Sequence, residues 1–373
     1  GEELSAKAEA QQLKDAEISA MRGTIYDSDG NVLAKSASVW NVFIDPLNIK
    51  TEKKRNLIVN KLSSLFKYDD KEKVDLLEKT KNNNHYELIE KKVENNIKEK
   101  LSTFVSKNNL GDCVGTEQAT KRYYPYGNLA SSVLGFTSTD DQGVSGLEYY
   151  YNDELTGTNG RIITAKDAKS NNIESNYETY VPASDGDSLV LTINQTIQYY
   201  LEKGLRETLN EYEAKGAYGI VMNCNTGAVL AMSSLPDFDC NDPYKLTYNK
   251  YAKRLTNKED KAKVEKEALP NQWNNFTVNS TYVPGSVFKT FVACAALEEH
   301  IVDLNTTYNC TGSIQVEDYT MKCHYHPGHG LQTLTQGLEN SCNPFFITIG
   351  QKLGVKNYVK YFDAFGFTKK TNI

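Results

Sequence analysis

Two kinds of hydrophobic spacing alternate along the first half of the chain. Residues 22–45 alternate apolar and polar positions around Asp29-Gly30, which predicts a β-hairpin. From about residue 50 to 110, Leu, Val and Ile recur at helical spacing among many Lys, Glu and Asn residues. This predicts a small helical insertion with charged outer faces. Residues 166–188 are polar and turn-rich, which predicts an exposed loop before a new domain.

The second half of the chain has the pattern of an α/β domain. An apolar strand at residues 188–193 runs into an amphipathic helix, and residues 216–234 predict two strands joined by an Asn-Thr-Gly turn. Two further helices are expected after Pro-Gly and Pro breaks, one following Gly285 and one following Pro344. The pattern therefore predicts mixed helices and strands in more than one domain.

Composition narrows the class of protein only a little. The net charge is −6 and the pI is about 5.6, whereas a nucleic-acid-binding protein is usually basic, so we expect no nucleic-acid partner. Seven Cys residues are spread too thinly for a disulfide framework. No apolar run is long enough to span a membrane. Residues 1–21 are polar and helix-like, which is typical of a stem beside a membrane anchor.

The clearest candidate chemistry lies where a helix begins after Pro284-Gly285. Ser286 and Lys289 fall in its first turn, and side chains three positions apart lie on one face of a helix. Apolar neighbours lower the pKa of a lysine because burial disfavours its charged form. A neutral amine takes the proton of a serine hydroxyl and so activates it as a nucleophile. The alternative is an ordinary helix start with Ser286 as a cap residue.

A second segment, Ser341-Cys342-Asn343, joins one predicted helix to the next. Ser341 is placed to relay a proton between Lys289 and a leaving amine. Asn343 is expected to hold Lys289 and a substrate amide by hydrogen bonds. Either segment alone is a weak signal, but the two in this order and separation indicate a serine enzyme of the acyl-transfer type.

Cysteine and histidine residues cluster between these two segments. Thiolate and imidazole ligands suit Zn²⁺, which takes four of them in a tetrahedron. The spacing matches no standard zinc finger, and a disulfide between Cys310 and Cys323 remains an alternative. We interpret Cys342 as a small buried filler. The candidate ligands, of which four at most would bind, are Cys310, Cys323, His324, His326 and His329.

The sequence YVPGSVFK followed by SCN resembles the first two active-site motifs of penicillin-binding proteins and related serine β-lactamases. Four more segments are similar to class B members of that family. They are RGTIYDSDGNVLA from Arg22, RYYPYGNLASSVLGF from Arg122, GLEYYYNDELTGTNG from Gly146, and GAYGIVMNCNTGAVLAMSSLPDFD from Gly216. A simple β-lactamase lacks so long an N-terminal module. The resemblance covers the chain from about residue 22 onward, apart from the helical insertions.

The resemblance implies an α+β multidomain fold. We expect an elongated N-terminal pedestal domain and a partial penicillin-binding/β-lactamase-like α/β transpeptidase domain. The expected limits are a membrane-proximal stem at 1–21, a dimerisation-type pedestal at 22–183 with its insertion at about 50–110, and the transpeptidase domain at 184–373. The family's third motif, Lys-Thr-Gly or a close variant, does not occur in the sequence. We therefore expect the chain to be truncated before the strand that carries it.

The function that the resemblance implies is peptidoglycan D,D-transpeptidation through a Ser286 acyl-enzyme, inhibited by β-lactams. No cofactor is expected in catalysis, and zinc would be structural. Expected partners are peptidoglycan stem peptides, β-lactams and a membrane glycosyltransferase. The protein would face the outside of the bacterial cell membrane, on an N-terminal transmembrane anchor absent from this chain. The alternatives are a noncatalytic cell-wall scaffold and a β-lactam sensor or hydrolase. A structural Gly-His-Gly loop without metal, which also occurs in the family, is similar to residues 328–330.

Overall fold

The chain divides into two compact units, Gly1–Asn279 and Ser280–Ile373. No helix among the described residues is long and apolar enough to cross a membrane. Residues 1–12, and most of the loop predicted at 166–188, lie outside the described part. The computed structural model describes residues 13–165, 178–247 and 261–371.

The first unit mixes short helices with strands. Its strands are β1 Leu13–Ile18, β2 Ile25–Tyr26, β3 Val32–Ile44, β4 Glu87–Val93, β5 Val114–Tyr123, β6 Gly160–Ala165, β7 Glu178–Val181, β8 Leu189–Val190, β9 Ala217–Met222 and β10 Val229–Leu235. Its helices are α1 Glu52–Phe66, α2 Asp70–Lys79, α3 Asn95–Lys107, α4 Ser131–Leu134, α5 Gly146–Tyr150, α6 Asn152–Leu155, α7 Gln195–Glu211, α8 Lys261–Trp273 and α9 Phe276–Asn279.

The long strand β3 organises the main sheet of the first unit. Its start pairs with β2 across the Asp29-Gly30 turn, which confirms the predicted hairpin. Its remainder lies between β4 and β5, and both partners run antiparallel to it. Strand β2 also pairs in parallel with β8, so segments far apart in sequence meet in one sheet.

The predicted helical insertion is present as α1, α2 and α3, with strand β4 among them. Strand β4 was not predicted, because its charged residues hide the alternation that marks a buried strand. Such charges are typical of a strand at the edge of a sheet. The helices bury an apolar cluster against the sheet, centred on Ile58, Leu62 and Leu101 from the helices and on Val42 and Val114 from the strands.

Strand β1 corrects one expectation about the N-terminal segment. Residues 13–18, expected to be part of a helix-like stem, instead pair antiparallel with β6, with Leu13 opposite Ala165 and Ile18 opposite Gly160. Helix propensity is a weak preference, and the hydrogen bonds offered by a neighbouring strand override it here. These residues therefore belong to a three-stranded sheet, in which β6 also pairs with β7.

A buried ionic cluster joins three distant segments of the first unit. Glu148 is fully buried and accepts hydrogen bonds from Arg22 Nε at 2.6 Å and Arg122 Nε at 2.7 Å. Arg122 also donates to the carbonyl of Gly23 at 2.7 Å, and Tyr124 donates to Glu148 at 3.3 Å. Both arginines are 5 % exposed. The two arginines share one carboxylate, so each has a close partner of opposite sign and the cluster is partly compensated within the fold.

Helix α7 follows strand β8, and the β9–β10 hairpin follows the helix, in agreement with the predicted order of elements. Asn194 caps the helix by accepting hydrogen bonds from the amides of Thr196 and Ile197. Gln198 then ties the helix to β10 by bonding both the amide and the carbonyl of Met232. The hairpin is thereby fixed within the first unit.

The second unit contains the helices predicted after Gly285, together with four short strands that were not predicted. Its strands are β11 Thr307–Cys310, β12 Ser313–Val316, β13 Tyr319–Lys322 and β14 Gly330–Thr333, and its helices are α10 Lys289–Glu298, α11 Leu334–Glu339 and α12 Asn343–Ala364. Strand β11 pairs with β14, and β12 pairs with β13. Phe291 of α10 packs edge-on against Tyr358, Phe362 and Phe365, which holds α10 against the C-terminal part of the unit.

Candidate active site and thiol cluster

Ser286 lies in a tight turn of 3₁₀ helix at Gly285–Phe288, directly before α10. Gly285 has φ +61°, a left-handed conformation that glycine adopts without steric cost. Lys289 is the first residue of α10. This order places both side chains at the same end of the helix, with Ser286 exposed and Lys289 half-buried. The Pro284-Gly285 break therefore starts the helix where the sequence analysis expected it.

Lys289 is the centre of the candidate site. Its Nζ lies 3.4 Å from Ser286 Oγ and 3.0 Å from Ser341 Oγ. It donates to the carbonyl oxygen of Ser341 at 2.7 Å and to Asn343 Oδ1 at 2.6 Å. The four residues predicted from the two motifs thus lie together around one amine.

The loop between α11 and α12 supplies the other half of this site. Ser341 has φ +48°, a conformation that non-glycine residues rarely adopt, and it turns both its carbonyl and its hydroxyl to Lys289. Asn343 begins α12 and is followed by Pro344, a residue favoured in the first turn of a helix. Asn343 Nδ2 also donates to the carbonyl of Lys322 at 3.3 Å. The positive φ at Ser341 is backbone strain located at the candidate site.

The surroundings of Lys289 shift its acid–base equilibrium towards the neutral amine. Burial lowers the pKa of Lys289 because the ammonium loses water without gaining a carboxylate. Its four close contacts are all neutral oxygens, and within the part of the chain that the structure describes it takes part in no ion pair. An amine in this environment can accept the Ser286 proton, as general-base catalysis requires.

A cluster of soft ligands lies beside this loop. One candidate ligand atom from each of Cys310, Cys323, His329 and Cys342 lies within 4.8 Å of the others. The three thiols are almost completely buried, at 2 %, 1 % and 0 % exposure. Cys323 Sγ is 3.6 Å from His329 Nδ1. All three cysteines are free thiols, so the disulfide considered between Cys310 and Cys323 is not formed.

The backbone brings these ligands together at the ends of the small hairpins. Cys310 closes β11, and Cys323 follows β13. Gly328 has φ +86°, and a Cβ there would lie only 2.2 Å from the carbonyl oxygen of Cys310. Only glycine therefore allows the loop before His329 to come this close to β11.

Two thiols of the cluster differ in acidity. Burial raises the pKa of Cys342 to about 12. Burial acts in the same direction on Cys310, but hydrogen bonds from the amides of His329 and Gly312 outweigh it and lower the pKa of Cys310 to about 6. Cys310 is therefore ready to act as a thiolate, the form of cysteine that binds metals.

The ligand set differs from the one expected from the sequence. His324 and His326 are exposed and lie outside the four-residue group, although His324 Nδ1 is 4.0 Å from Cys323 Sγ. Cys342, interpreted from the sequence as a buried filler, is the fourth member. Cys342 was not predicted as a ligand because it lies in the Ser-x-Asn segment, outside the run of Cys and His residues that suggested a metal site.

Comparisons with known families agree with the fold. Residues 17–191 match the penicillin-binding protein dimerisation domain, and residues 217–373 match the penicillin-binding protein transpeptidase domain. The chain is 32 % identical over its whole length to stage V sporulation protein D of Bacillus subtilis, of which it covers 53 %. It is 26 % identical to the peptidoglycan D,D-transpeptidase FtsI of Buchnera aphidicola over 99 % of this chain and 60 % of that protein.

Solved structures show the same architecture. Penicillin-binding protein 2X from Streptococcus thermophilus matches 95 % of this chain and 52 % of its own, with a TM-score of 0.71 and 23 % identity. The complex of PBP2 with MreC from Helicobacter pylori matches 96 % and 66 %, again with a TM-score of 0.71 and 23 % identity. The chain spans little more than half the length of these curated relatives. With a dimerisation domain followed by a transpeptidase domain, it belongs to the class B penicillin-binding proteins.

Proposed function

We propose that this chain acts in peptidoglycan cross-linking as a serine D,D-transpeptidase, with Ser286 as the nucleophile. The observation that carries the proposal is the position of Lys289 Nζ, within 3.4 Å of Ser286 Oγ and 3.0 Å of Ser341 Oγ. An amine there can take the serine proton and pass it onward through Ser341. Asn343 supports the role by orienting Lys289 at 2.6 Å.

The proposed reaction is acyl transfer in two steps. Neutral Lys289 takes the hydroxyl proton while Ser286 Oγ bonds to the carbonyl carbon between two D-alanines of a stem peptide. The C–N bond then breaks, and the terminal D-alanine leaves with a proton delivered through Ser341. An amine of a neighbouring stem attacks the ester, forms the cross-link and releases Ser286. β-Lactams, which imitate the D-Ala-D-Ala end, would acylate the same oxygen.

The wider setting is also a proposal. We place the protein at the extracytoplasmic face of the membrane, with residues 1–21 as a stem, 22–183 as the pedestal and 184–373 as transpeptidase. A membrane glycosyltransferase that supplies glycan strands is the proposed partner. Peptidoglycan lies outside the membrane, and the names of the relatives, which refer to sporulation and to D,D-transpeptidation, support this setting.

Labelling with a fluorescent penicillin tests the activity. The protein to be assayed is the product of the full gene, because the family's Lys-Thr-Gly motif does not occur in these 373 residues. We expect slow-releasing label on the Ser286 peptide and none in Ser286→Ala. Rapid release of the label would instead indicate a hydrolase. Absence of labelling in folded protein would indicate a noncatalytic scaffold and contradict the proposal.

We further propose that Cys310, Cys323, His329 and Cys342 hold a structural Zn²⁺. Zinc–ligand bonds of roughly 2.0–2.3 Å require ligand atoms less than about 4 Å apart, so the observed cluster needs only a small contraction. Three thiols and one imidazole complete a tetrahedron and leave no position for water, which supports a structural role. Because Cys342 lies between Ser341 and Asn343, the metal would brace the loop that contacts Lys289.

Elemental analysis of the purified chain tests the metal site. We expect about one equivalent of zinc, lost in Cys323→Ser and in His329→Ala, together with a lower melting temperature. The exposed Cys294→Ser and His326→Ala are matched controls that should retain the metal. Metal-free protein with an unchanged melting temperature, or loss of zinc in the His326 variant alone, would contradict this ligand set.

A further inference from the structure

A cavity of about 680 Å³ lies in the first unit, and none of the residues that line it has been assigned to catalysis or metal binding. One wall is a face of α7, on which Gln195, Tyr199, Glu202 and Arg206 follow each other at helical spacing. The opposite wall is the turn before α4, at residues 126–129. This volume falls within the range of roughly 300–1,000 Å³ that is usual for small-molecule sites.

Three tyrosine rings give the cavity its apolar surface. Tyr126, Tyr199 and Tyr200 line it and are 40 %, 55 % and 65 % exposed. The rings of Tyr199 and Tyr200 meet edge to face, with centroids 5.4 Å apart. Exposed ring faces carry partial negative charge, and they attract the polarised C–H groups of a ligand that stacks on them.

The polar groups of the cavity are held in fixed positions. Glu202 is 6 % exposed, and its Oε1 accepts hydrogen bonds from the amide of Ala130 and from Gln198 Nε2, each at 2.7 Å. Among the described residues its Oε2 makes no hydrogen bond, so this oxygen is left for a ligand. Arg206 is held by two hydrogen bonds to Asp237, at 3.1 and 2.8 Å.

The balance of charge decides the class of ligand. The charged residues that line the cavity are two acids and two bases: Glu202, Glu207, Lys203 and Arg206. Arg206 pairs with Asp237 at 2.8 Å and Lys203 with Glu207 at 4.0 Å, so among the described lining residues each cation already has an acidic partner to compete with a phosphate or a terminal carboxylate. A stem peptide with its free carboxylates is disfavoured for that reason. Stacking faces combined with fixed hydrogen-bonding groups suit an uncharged molecule with many hydroxyl and amide groups.

We propose that this cavity binds a short segment of the peptidoglycan sugar backbone, a β-1,4-linked chain of N-acetylated amino sugars. Sugar rings would stack on Tyr199 and Tyr200, while Glu202 Oε2 accepts a hydrogen bond from a hydroxyl or amide of the glycan. The identity of the polymer rests on the proposed transpeptidase function, whereas the saccharide class rests on the cavity alone. The site would hold the strand whose stem peptides are cross-linked.

Saturation-transfer NMR with the peptide-free tetramer of β-1,4-linked N-acetylglucosamine tests the proposal on the full 373-residue chain. We expect transfer to the sugar protons, with the dissociation constant raised roughly 3–10-fold in Tyr199→Ala and in Tyr200→Ala. Both tyrosines are exposed on a helix that tolerates alanine, so these variants should fold. Glu202→Gln, which keeps the shape of the side chain, should weaken binding as well.

Tyr212→Ala is the matched control, because Tyr212 is 71 % exposed directly after α7 and does not line the cavity. No transfer at millimolar sugar, an equal loss in Tyr212→Ala, or binding of a sugar-free stem pentapeptide in place of the tetramer would each overturn the proposal. Ser286→Ala separates the two hypotheses, since it should abolish penicillin labelling and leave saccharide binding unchanged.

Discussion

The buried arginines of the first unit and the lysine of the candidate site have opposite electrostatic surroundings. In the first unit, Arg22 and Arg122 both bind the buried carboxylate of Glu148. In the second unit, Lys289 is surrounded by the oxygens of Ser286, Ser341 and Asn343, none of which carries a charge. The arginines share a carboxylate partner, whereas Lys289 has none within the described part of the chain.

The difference separates structural cations from a candidate general base. A buried cation beside a carboxylate keeps its proton, because the opposite charge offsets the loss of water. A half-buried lysine without a carboxylate partner lacks that compensation, so burial lowers its pKa even though the nearby thiols Cys323 and Cys342 act in the opposite direction. Hydrogen-bond counts alone would not distinguish the two groups, since both are richly bonded. The presence or absence of a carboxylate counter-charge distinguishes the arginines from Lys289.

Removing the Lys289 amine should give the largest effect. In Lys289→Met the side chain keeps its length but loses the base, so acylation by penicillin should slow by roughly 10²–10⁴-fold. Stability should change little, because methionine fills a similar volume and no counter-charge is left behind. Stopped-flow labelling and thermal denaturation of the intact gene product measure the two quantities. Acylation within a factor of about three of wild type would remove Lys289 from the role of base.

Neutralising Glu148 should have the next largest effect, on stability and not on acylation. Glu148→Gln leaves two buried guanidinium groups without a counter-charge, which should cost roughly 3–5 kcal/mol of unfolding free energy. Urea unfolding, followed by a probe in the first unit, measures this. Glu78→Gln is the control, because its exposed pair with Lys81 should contribute only about 0–1 kcal/mol. Equal losses of unfolding free energy in both variants would show that the buried Arg22–Glu148–Arg122 cluster stabilises the fold no more than an exposed ion pair does.

The pH dependence of acylation should show the smallest effect. Lys289 acts as base only when neutral, so the acylation rate should rise about tenfold per pH unit below its pKa and level off above it. Burial lowers this pKa, so the plateau should begin below the ordinary lysine value of 10.5. Rate measurements across the pH range test this. A profile that still rises at pH 10.5 would mean that the amine is not desolvated in the working enzyme.

The sequence predicted the parts of the site that depend on local structure. A Pro-Gly break followed by an apolar helix was enough to place Ser286 beside Lys289, because helical spacing alone determines that contact. The pairing of Lys289 with Ser341 and Asn343 came from the resemblance of two short motifs, not from periodicity. Strands β1 and β4 were missed because their partners are distant in sequence and their own residues favour other structures.

The thiol cluster shows the limit of reading ligands from spacing. His324 and His326 were among the five candidates because they lie close to Cys323 in sequence, yet both are exposed and lie outside the group. Cys342 joins it through the fold of the loop after α11, which no local pattern encodes. Similarly, the sharing of Glu148 by Arg22 and Arg122 depends on three segments meeting, which no local pattern encodes.

The conformation of Ser341 has a consequence for mutational surveys of this protein. Its main-chain oxygen lies 2.7 Å from Lys289 Nζ, closer than its own hydroxyl at 3.0 Å. Exchanging the side chain therefore leaves the shorter of the two contacts in place. A scan limited to side-chain replacements would underestimate how much Ser341 contributes to holding Lys289. The full contribution would emerge only from altering the peptide backbone itself, for example by an ester in place of the amide.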